Sequence, residues 1–198
     1  MNFQKVPVGA TPINDISELI PIHITTLDEL YSAEFKNISL ATSKYLLTTK
    51  LFCFDLTSLY KVHFDMFSKV WKWAGKKRKV NLNIGSDKNY IDIDLKYLLD
   101  DIIFWEKNKE DAINISAKLY HRLVKIHPFI NGNGRWSRLI TNIYLKKTTK
   151  TLLTWPESNL ILTSDFRNIY IINLKKADSG DYEPLINLHK ELFNSNFR

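Results

Sequence analysis

Two glycines separate two stretches of helical periodicity near the middle of the chain, and this segment constrains the fold more than any other. It reads His127-Pro128-Phe129-Ile130-Asn131-Gly132-Asn133-Gly134-Arg135-Trp136-Ser137-Arg138. Apolar residues recur at spacings of three and four before it, and a second helical pattern follows it. Glycine permits backbone conformations that other residues avoid. We therefore predict a sharp turn that joins two helices.

Helical periodicity covers most of the remaining chain, so a mostly α-helical fold is expected. The predicted helices span residues 25–38, 58–73, 95–107, 110–126, 136–146, 164–177 and 183–193. Between the second and third helices the period changes to two, because Val80, Leu82 and Ile84 alternate with asparagines and precede turn residues. This pattern predicts one small β-hairpin over residues 79–93.

Length and composition favour one domain with an ordinary core, since the chain has 198 residues and is 44% hydrophobic. Residues 1–24 contain three prolines and no sustained periodicity, which predicts an N-terminal arm on a helical domain over residues 25–198. No apolar stretch approaches the ~18 residues that cross a bilayer. The first residues lack a signal-peptide core, so a cytoplasmic location without membrane contact is expected. Cys53 excludes an internal disulfide, and its apolar neighbours predict that it fills the core.

The net charge of +7 predicts an anionic partner: nucleic acid, a nucleotide phosphate or an acidic protein surface. The densest basic stretch contains Lys69, Lys72, Lys76, Lys77, Arg78 and Lys79, with Trp71 and Trp73 among them. Its plainer interpretation is a solvated helix end. The histidines outside the glycine-rich segment have no metal-ligand spacing, and we expect His63 to be a hydrogen-bonded core residue.

The glycine-rich segment combines three features that suit chemistry on phosphates. A turn that leads into a helix directs free backbone N–H groups outward, which favours anion binding. Arg135 and Arg138, three residues apart on one helix face, can clamp a polyphosphate. His127 is a candidate general base, because an unperturbed histidine titrates near neutral pH. Together these features favour phosphoryl or nucleotidyl transfer.

The segment also resembles the signature of the Fic family, His-Pro-Phe-x-(Asp/Glu)-Gly-Asn-Gly-Arg-x-x-Arg, at every fixed position except Asn131. Residues 73–75 and 177–185 look like further Fic landmarks, and residues 19–38 resemble the Fic subgroup called mobile mystery protein B. The resemblance covers about residues 19–193. It implies a Fic-type helical domain with a β-hairpin flap.

By this resemblance the protein is an adenylyltransferase that moves AMP from ATP to a Ser, Thr or Tyr hydroxyl of a target protein. His127 would deprotonate the hydroxyl. The backbone of Gly132-Asn133-Gly134 and the Asn133 side chain would hold the phosphates, with Arg135 in support and Arg138 on the γ-phosphate. Phe129 would be a buried wedge that fixes the loop.

The flap would align the target segment by adding it as a strand, a mode that reads backbone rather than side chains. The flap residues are Ile84, Gly85, Tyr90 and Ile91. A binding mode of this kind leaves the identity of the target open.

Asn131 departs from the family pattern, because most Fic enzymes carry there an acidic residue that ligates Mg²⁺. An amide oxygen can still coordinate Mg²⁺ but brings no charge, so we expect Mg²⁺ as a cofactor with Asn131 as a weak ligand. AMP transfer therefore has competitors: removal of AMP from modified proteins, phosphate transfer by a variant site, and a non-catalytic regulator that binds nucleotide or nucleic acid. As the binding partner of this chain, we favour ATP over nucleic acid.

Many Fic proteins are inhibited by a glutamate on an added helix, in a Ser/Thr-x-x-x-Glu-Gly/Asn pattern, that pairs with the second arginine. No segment here matches that pattern. On the predicted helix at about residues 25–40, Glu34 and Glu29 are candidates to pair with Arg138, and we prefer Glu34. The alternative is an ordinary exposed carboxylate. A regulatory partner would be another route of control.

Overall fold

Helices dominate the computed structural model, which describes residues 17–156 and 164–195. These residues form seven helices: α1 (Leu27–Leu46), α2 (Leu56–Phe67), α3 (Ile91–Lys107), α4 (Ala112–Ile126), α5 (Asn133–Thr149), α6 (Asp165–Asp178) and α7 (Glu183–Asn194). The mostly α-helical prediction is confirmed. Short polar side chains begin several helices: Thr26 and Glu29 form a capping box at α1, and Asp55, Asp111 and Ser164 cap α2, α4 and α6.

Helices α4 and α5 pack against each other at the centre of the fold. Helix α1 packs on α2 and α5, α3 packs on α4, and α7 packs on α4 and α6. Large aromatic side chains fill the space between them, including Trp136, Tyr120, Tyr144 and Phe67, which are fully buried. The turn between α4 and α5, which carries the glycine-rich segment, is therefore anchored from both sides by the core.

The predicted β-hairpin is wrong: residues 79–90 form a loop, and the described ranges contain no strand. Val80 and Ile84 are about half exposed, whereas Ile91 is fully buried as the first residue of α3. Without a buried face a two-stranded hairpin is marginal in water. The side chains of Asn81 and Asp87 bond to each other and to the loop's backbone N–H groups, which competes with a strand ladder.

The segment before α1 packs on the turn that follows α2. The Ile20 N–H donates to the Val70 carbonyl, and the Lys72 N–H donates to the Glu18 carbonyl, both at 2.9 Å. Residues 1–16 of the predicted arm lie outside the described residues. No helix in the described ranges has the length and hydropathy that crossing a bilayer requires.

The prediction that Cys53 fills the core is wrong, because its side chain is exposed. Residues 47–55 connect α1 to α2 along the surface. Phe52 and Phe54 pack against the core, and Cys53 between them faces solvent, as alternate residues of an extended segment do.

Candidate active site

His127 lies at the end of α4, where its backbone adopts the left-handed conformation (φ 52°). Its Nδ1 is 3.2 Å from the Val124 carbonyl oxygen. A carbonyl can only accept, so Nδ1 carries the proton and Nε2 keeps a free lone pair. The pKa of His127 is lowered to about 4, chiefly by burial; the Val124 bond opposes this shift and the nearby charge of Arg78 adds to it. The imidazole is therefore neutral at physiological pH, the form that a general base requires.

The Nε2 atom of His127 is buried and has no hydrogen-bond partner within residues 17–156 and 164–195. A buried nitrogen without a partner is costly and uncommon, and such atoms are frequent at catalytic sites. A substrate hydroxyl that donates to Nε2 would satisfy this atom.

The side-chain amide of Asn133 holds the loop that follows His127 by bonding to the main chain of Phe129. The Asn133 Oδ1 accepts the Phe129 N–H at 2.9 Å, and the Asn133 Nδ2 donates to the Phe129 carbonyl at 2.8 Å. The Asn133 side chain therefore closes the loop with two hydrogen bonds, and one N–H of its amide group remains for another acceptor. The Phe129 ring is fully buried, as expected of a wedge.

His63 supports the same loop from α2. The Gly75 N–H donates to its Nδ1 at 2.9 Å, so its Nε2 carries the proton and donates to the Asn131 carbonyl at 3.1 Å. The imidazole also stacks on the Phe129 ring, with centroids 3.5 Å apart. The prediction of a hydrogen-bonded core histidine is confirmed, and burial lowers the pKa of His63 to about 3.

Helix α5 begins directly after Gly132 and has no side-chain cap. The first N–H groups of a helix have no acceptor within the helix, so those of Asn133, Gly134 and Arg135 can face an anion. The positive end of the helix dipole adds to this preference. The anion site predicted from the glycines stays a prediction, and this helix start is where an anion would bind.

Gly132 cannot be replaced without strain. Its φ is 78°, and a methyl group there would lie 2.6 Å from the Phe67 ring. We expect Gly132→Ala to lower the free energy of unfolding by roughly 2–4 kcal/mol, from left-handed strain and overpacking. The matched control is Gly134→Ala, because its methyl would meet Arg138 only at 3.5 Å. Urea denaturation of both variants checks this, and equal midpoints would contradict it.

Arg135, on the first turn of α5, forms an ion pair with Glu34 of α1. Its Nη1 is 2.5 Å from the Glu34 Oε2, and the other carboxylate oxygen accepts the Trp71 indole N–H at 2.6 Å. Glu34 is only 3% exposed, so the exposed-carboxylate alternative is wrong for this residue. The expected partner was Arg138, and the structure gives Arg135 instead.

Arg138 is buried one turn further along α5, with its guanidinium 6.0 Å from the centre of the Trp155 ring. The second inhibitory candidate, Glu29, lies in the first turn of α1, where it accepts the Thr25 and Thr26 N–H groups. Glu29 is thus a capping residue of α1.

The residues present are a poor fit to a magnesium site made by protein alone. The Asn131 Oδ1 accepts the Gly132 N–H at 2.6 Å, so this neutral oxygen already makes a hydrogen bond within the turn. The described ranges contain no group of three or more acidic, histidine or cysteine side chains that could hold a metal. Mg²⁺ prefers carboxylates and phosphate oxygens, so the protein side chains here offer it few of the ligands it favours.

The loop of residues 78–87 lies against His127. A methyl group on Gly85 (φ 101°) would come within 2.8 Å of the His127 Cβ, so only glycine permits this approach. Ile84 is half exposed on the same loop, whereas Tyr90 and Ile91 belong to the start of α3. The four predicted flap residues are therefore divided between the loop and a helix.

Three of the four buried histidines should dominate the dependence of stability on pH; the fourth is His121, whose pKa burial also lowers. Burial lowers the pKa of His63 and of His189 to about 3 and that of His127 to about 4, against about 6.5 in the unfolded chain. The unfolded state then binds more protons between about pH 6.5 and 4, so stability is lost as the pH falls through this window.

We expect each of these histidines to contribute a loss on the order of 2 kcal/mol between pH 7 and 5. Urea denaturation at both pH values measures the loss, and His127→Asn should reduce it by about a third. An unfolding free energy that is constant across this window would contradict the assignment.

The structure thus combines a helical fold, a neutral buried histidine at the end of α4 and a helix α5 whose first turn has no side-chain cap. Residues 53–145 match the Fic/DOC family. The resemblance seen in the signature is therefore confirmed over residues 53–145, which carry the Fic/DOC match.

Two relatives carry the name protein adenylyltransferase Fic. The chain is 31% identical to that of Drosophila grimshawi over 117 residues, which is 57% of this chain and 23% of the relative. It is 39% identical to that of Drosophila yakuba over 74 residues, which is 37% of this chain and 14% of the relative. The chain thus spans less than a quarter of the length of these curated relatives.

Two solved structures are similar in fold. The Bartonella tribocorum effector BepC with bound AMPPNP superposes with a TM-score of 0.68 at 16% identity, covering 90% of this chain and 96% of that one. A fragment of Fic-1 from Caenorhabditis elegans gives 0.69 at 19% identity, covering 91% and 53%. These similarities establish a Fic fold over most of the chain.

Proposed function

We propose that this protein transfers AMP from ATP to a hydroxyl group of a target protein. The observation that carries the proposal is the His127 imidazole, held neutral with Nε2 unpartnered within the described residues, beside the uncapped start of α5. A base and an anion site are the two elements that this reaction needs. The adenylyltransferase names of the relatives and the AMPPNP-bound neighbour support ATP as the donor.

The chemistry follows from the positions of these groups. The α5 start and the arginines would neutralise the phosphates of ATP, which supplies most of the catalysis in such transfers. The target hydroxyl would donate its proton to His127 Nε2 while its oxygen bonds to the α-phosphorus. The bond from that phosphorus to pyrophosphate breaks, and pyrophosphate leaves.

The target would lie along the loop of residues 78–87, since this loop covers the His127 side of the site. The buried Nε2 implies that the loop or neighbouring side chains shift when a hydroxyl enters. Residues 81 and 83–85 are exposed, so their backbone is open to pairing with an extended target segment.

Glu34 would inhibit this activity by occupying Arg135. A carboxylate and a phosphate compete for the same guanidinium donors, and the Glu34 carboxylate already lies within hydrogen-bond distance of Arg135. Release of the pair, by ATP or by a partner protein, would free the arginine.

The experiment that tests the proposal uses ATP labelled at either the α- or the γ-phosphate, with Mg²⁺ and a cell extract as the source of target. Transfer of the α label onto protein supports AMP transfer. Transfer of the γ label alone would replace the proposal with phosphate transfer. If the protein transfers no label from ATP but releases label from a protein that already carries AMP, its activity is the removal of AMP by hydrolysis.

The nucleic-acid alternative loses its main support in the structure. Within the basic stretch, Arg78 is 4% exposed and Trp71 1% exposed, and Lys77 pairs with Asp92. These three side chains are therefore not free to bind nucleic acid, which leaves only the exposed lysines of the stretch for that role.

A further inference from the structure

Arg78 is a buried residue whose guanidinium binds main-chain carbonyls both in its own loop and at the end of α4. Its Nε donates to the His127 carbonyl and its Nη1 to the Val80 carbonyl, both at 2.8 Å. Its Nη2 donates to the Ser86 carbonyl. The guanidinium therefore joins both ends of the 78–87 loop to the residue that carries the base.

The loop also binds the carbonyls on either side of His127. The Ser86 N–H donates to the Ile126 carbonyl at 3.1 Å, and the Arg78 N–H donates to the Pro128 carbonyl at 3.0 Å. Together with the Arg78 Nε bond, three consecutive carbonyls around the candidate base are held by one loop. This main chain cannot turn without breaking at least one of these bonds.

A fixed main chain matters here because of the His127 conformation. Its φ of 52° is disfavoured for a residue with a Cβ atom and persists only where the surroundings impose it. The direction of the Cα–Cβ bond, and with it the place of Nε2, depends on this backbone. Small errors in the place of a catalytic group reduce rates strongly.

We propose that Arg78 is a positioning residue for the transfer reaction: it fixes His127 and holds beside it the loop along which the target lies. The inference rests on the proposed function for its catalytic meaning. Arg78 acts through carbonyls and not through contact with substrate. The requirement is for a planar group with several donors in fixed directions, which the single ammonium group of lysine does not supply.

The test compares Arg78→Lys with Arg122→Lys. Arg122 lies on α4 and forms a half-exposed ion pair with Asp101, so the same exchange there should leave kcat unchanged. At a temperature well below the Tm of both variants, Arg78→Lys should lower kcat by about 10- to 100-fold, with the KM for ATP within about twofold. A kcat at the wild-type level, or a loss that follows Tm or KM, overturns the proposal.

A second readout does not depend on activity. In Arg78→Lys the amides of Ser86 and residue 78 should exchange with solvent faster, whereas amides inside α4 keep their protection. Unchanged exchange at these two amides overturns the proposal. If the wild-type protein transfers no label, the proposed function fails, and the exchange experiment still decides whether Arg78 holds this loop.

A third variant covers the case in which lysine prevents folding. Arg78→Ala removes the guanidinium, and millimolar guanidinium chloride should restore kcat by entering the space, while ammonium chloride at the same ionic strength should not. Equal effects of the two salts would mean that charge, and not the planar donor set, is what the site needs, which overturns the proposal.

Discussion

His127→Asn is expected to abolish transfer of the α-phosphate label while the protein stays folded. Asparagine keeps an amide donor near the position of Nδ1, which can still reach the Val124 carbonyl. It also tolerates the left-handed backbone that His127 adopts. It removes the Nε2 lone pair, and loss of a general base typically reduces kcat by about 10²- to 10⁴-fold.

The matched control for this variant is His23→Asn, since His23 is an exposed histidine in the segment before α1. Its kcat should equal that of the wild type. ATP affinity, measured by calorimetry, should change less than about threefold in His127→Asn, because the proton acceptor is not a phosphate contact. Transfer at a tenth of the wild-type rate or more would remove His127 from the role of base.

The helical part of the fold could be predicted from sequence because its determinants are local. Apolar periodicity and polar caps such as Ser164 depend on neighbours within a few residues. The turn from His127 to Gly132 was visible for the same reason, since glycine marks a backbone that other side chains avoid. Its position between two core helices then follows from packing.

The loop of residues 79–90 could not be predicted in this way. A period of two indicates a strand only if one face is buried, and burial is a property of the whole fold. Here Val80 and Ile84 face solvent, while Ile91 enters the core from the first turn of α3. The apolar residues do alternate with polar ones in this segment, but they do not form the strand that this alternation predicts.

The roles of Arg78, His63 and Asn133 depend on contacts between distant parts of the chain. Arg78 lay in a basic run whose other members are surface lysines, so nothing local marked it as buried. The Asn133 amide pairs with Phe129, although its place in a glycine-rich turn suggested a ligand contact. Sequence patterns placed the candidate residues in one segment, whereas their partners, and the place of Arg78, became visible only in the structure.

Glu34 is the second residue for which we expect a large effect, because its carboxylate pairs with Arg135 at the start of α5. Glu34→Gln keeps an oxygen that can accept the Trp71 N–H and removes the negative charge. Arg135 then becomes available to the phosphates of ATP. A hydrogen bond between charged groups is worth about 1.5–3 kcal/mol, so the transfer rate at low ATP should rise about ten- to a hundredfold.

The control is Glu29→Gln, which makes the same chemical change on the same helix at an exposed cap. Its transfer rate should stay at the wild-type level, with at most a small loss of stability. If Glu34→Gln instead lowers the rate and raises the KM for ATP, the carboxylate orients Arg135 for phosphate rather than blocking it. The two roles predict opposite changes in the transfer rate of Glu34→Gln. A carboxylate that competes with phosphate must leave Arg135 before ATP binds, so its loss raises the rate. A carboxylate that aligns the arginine must remain, so its loss lowers the rate.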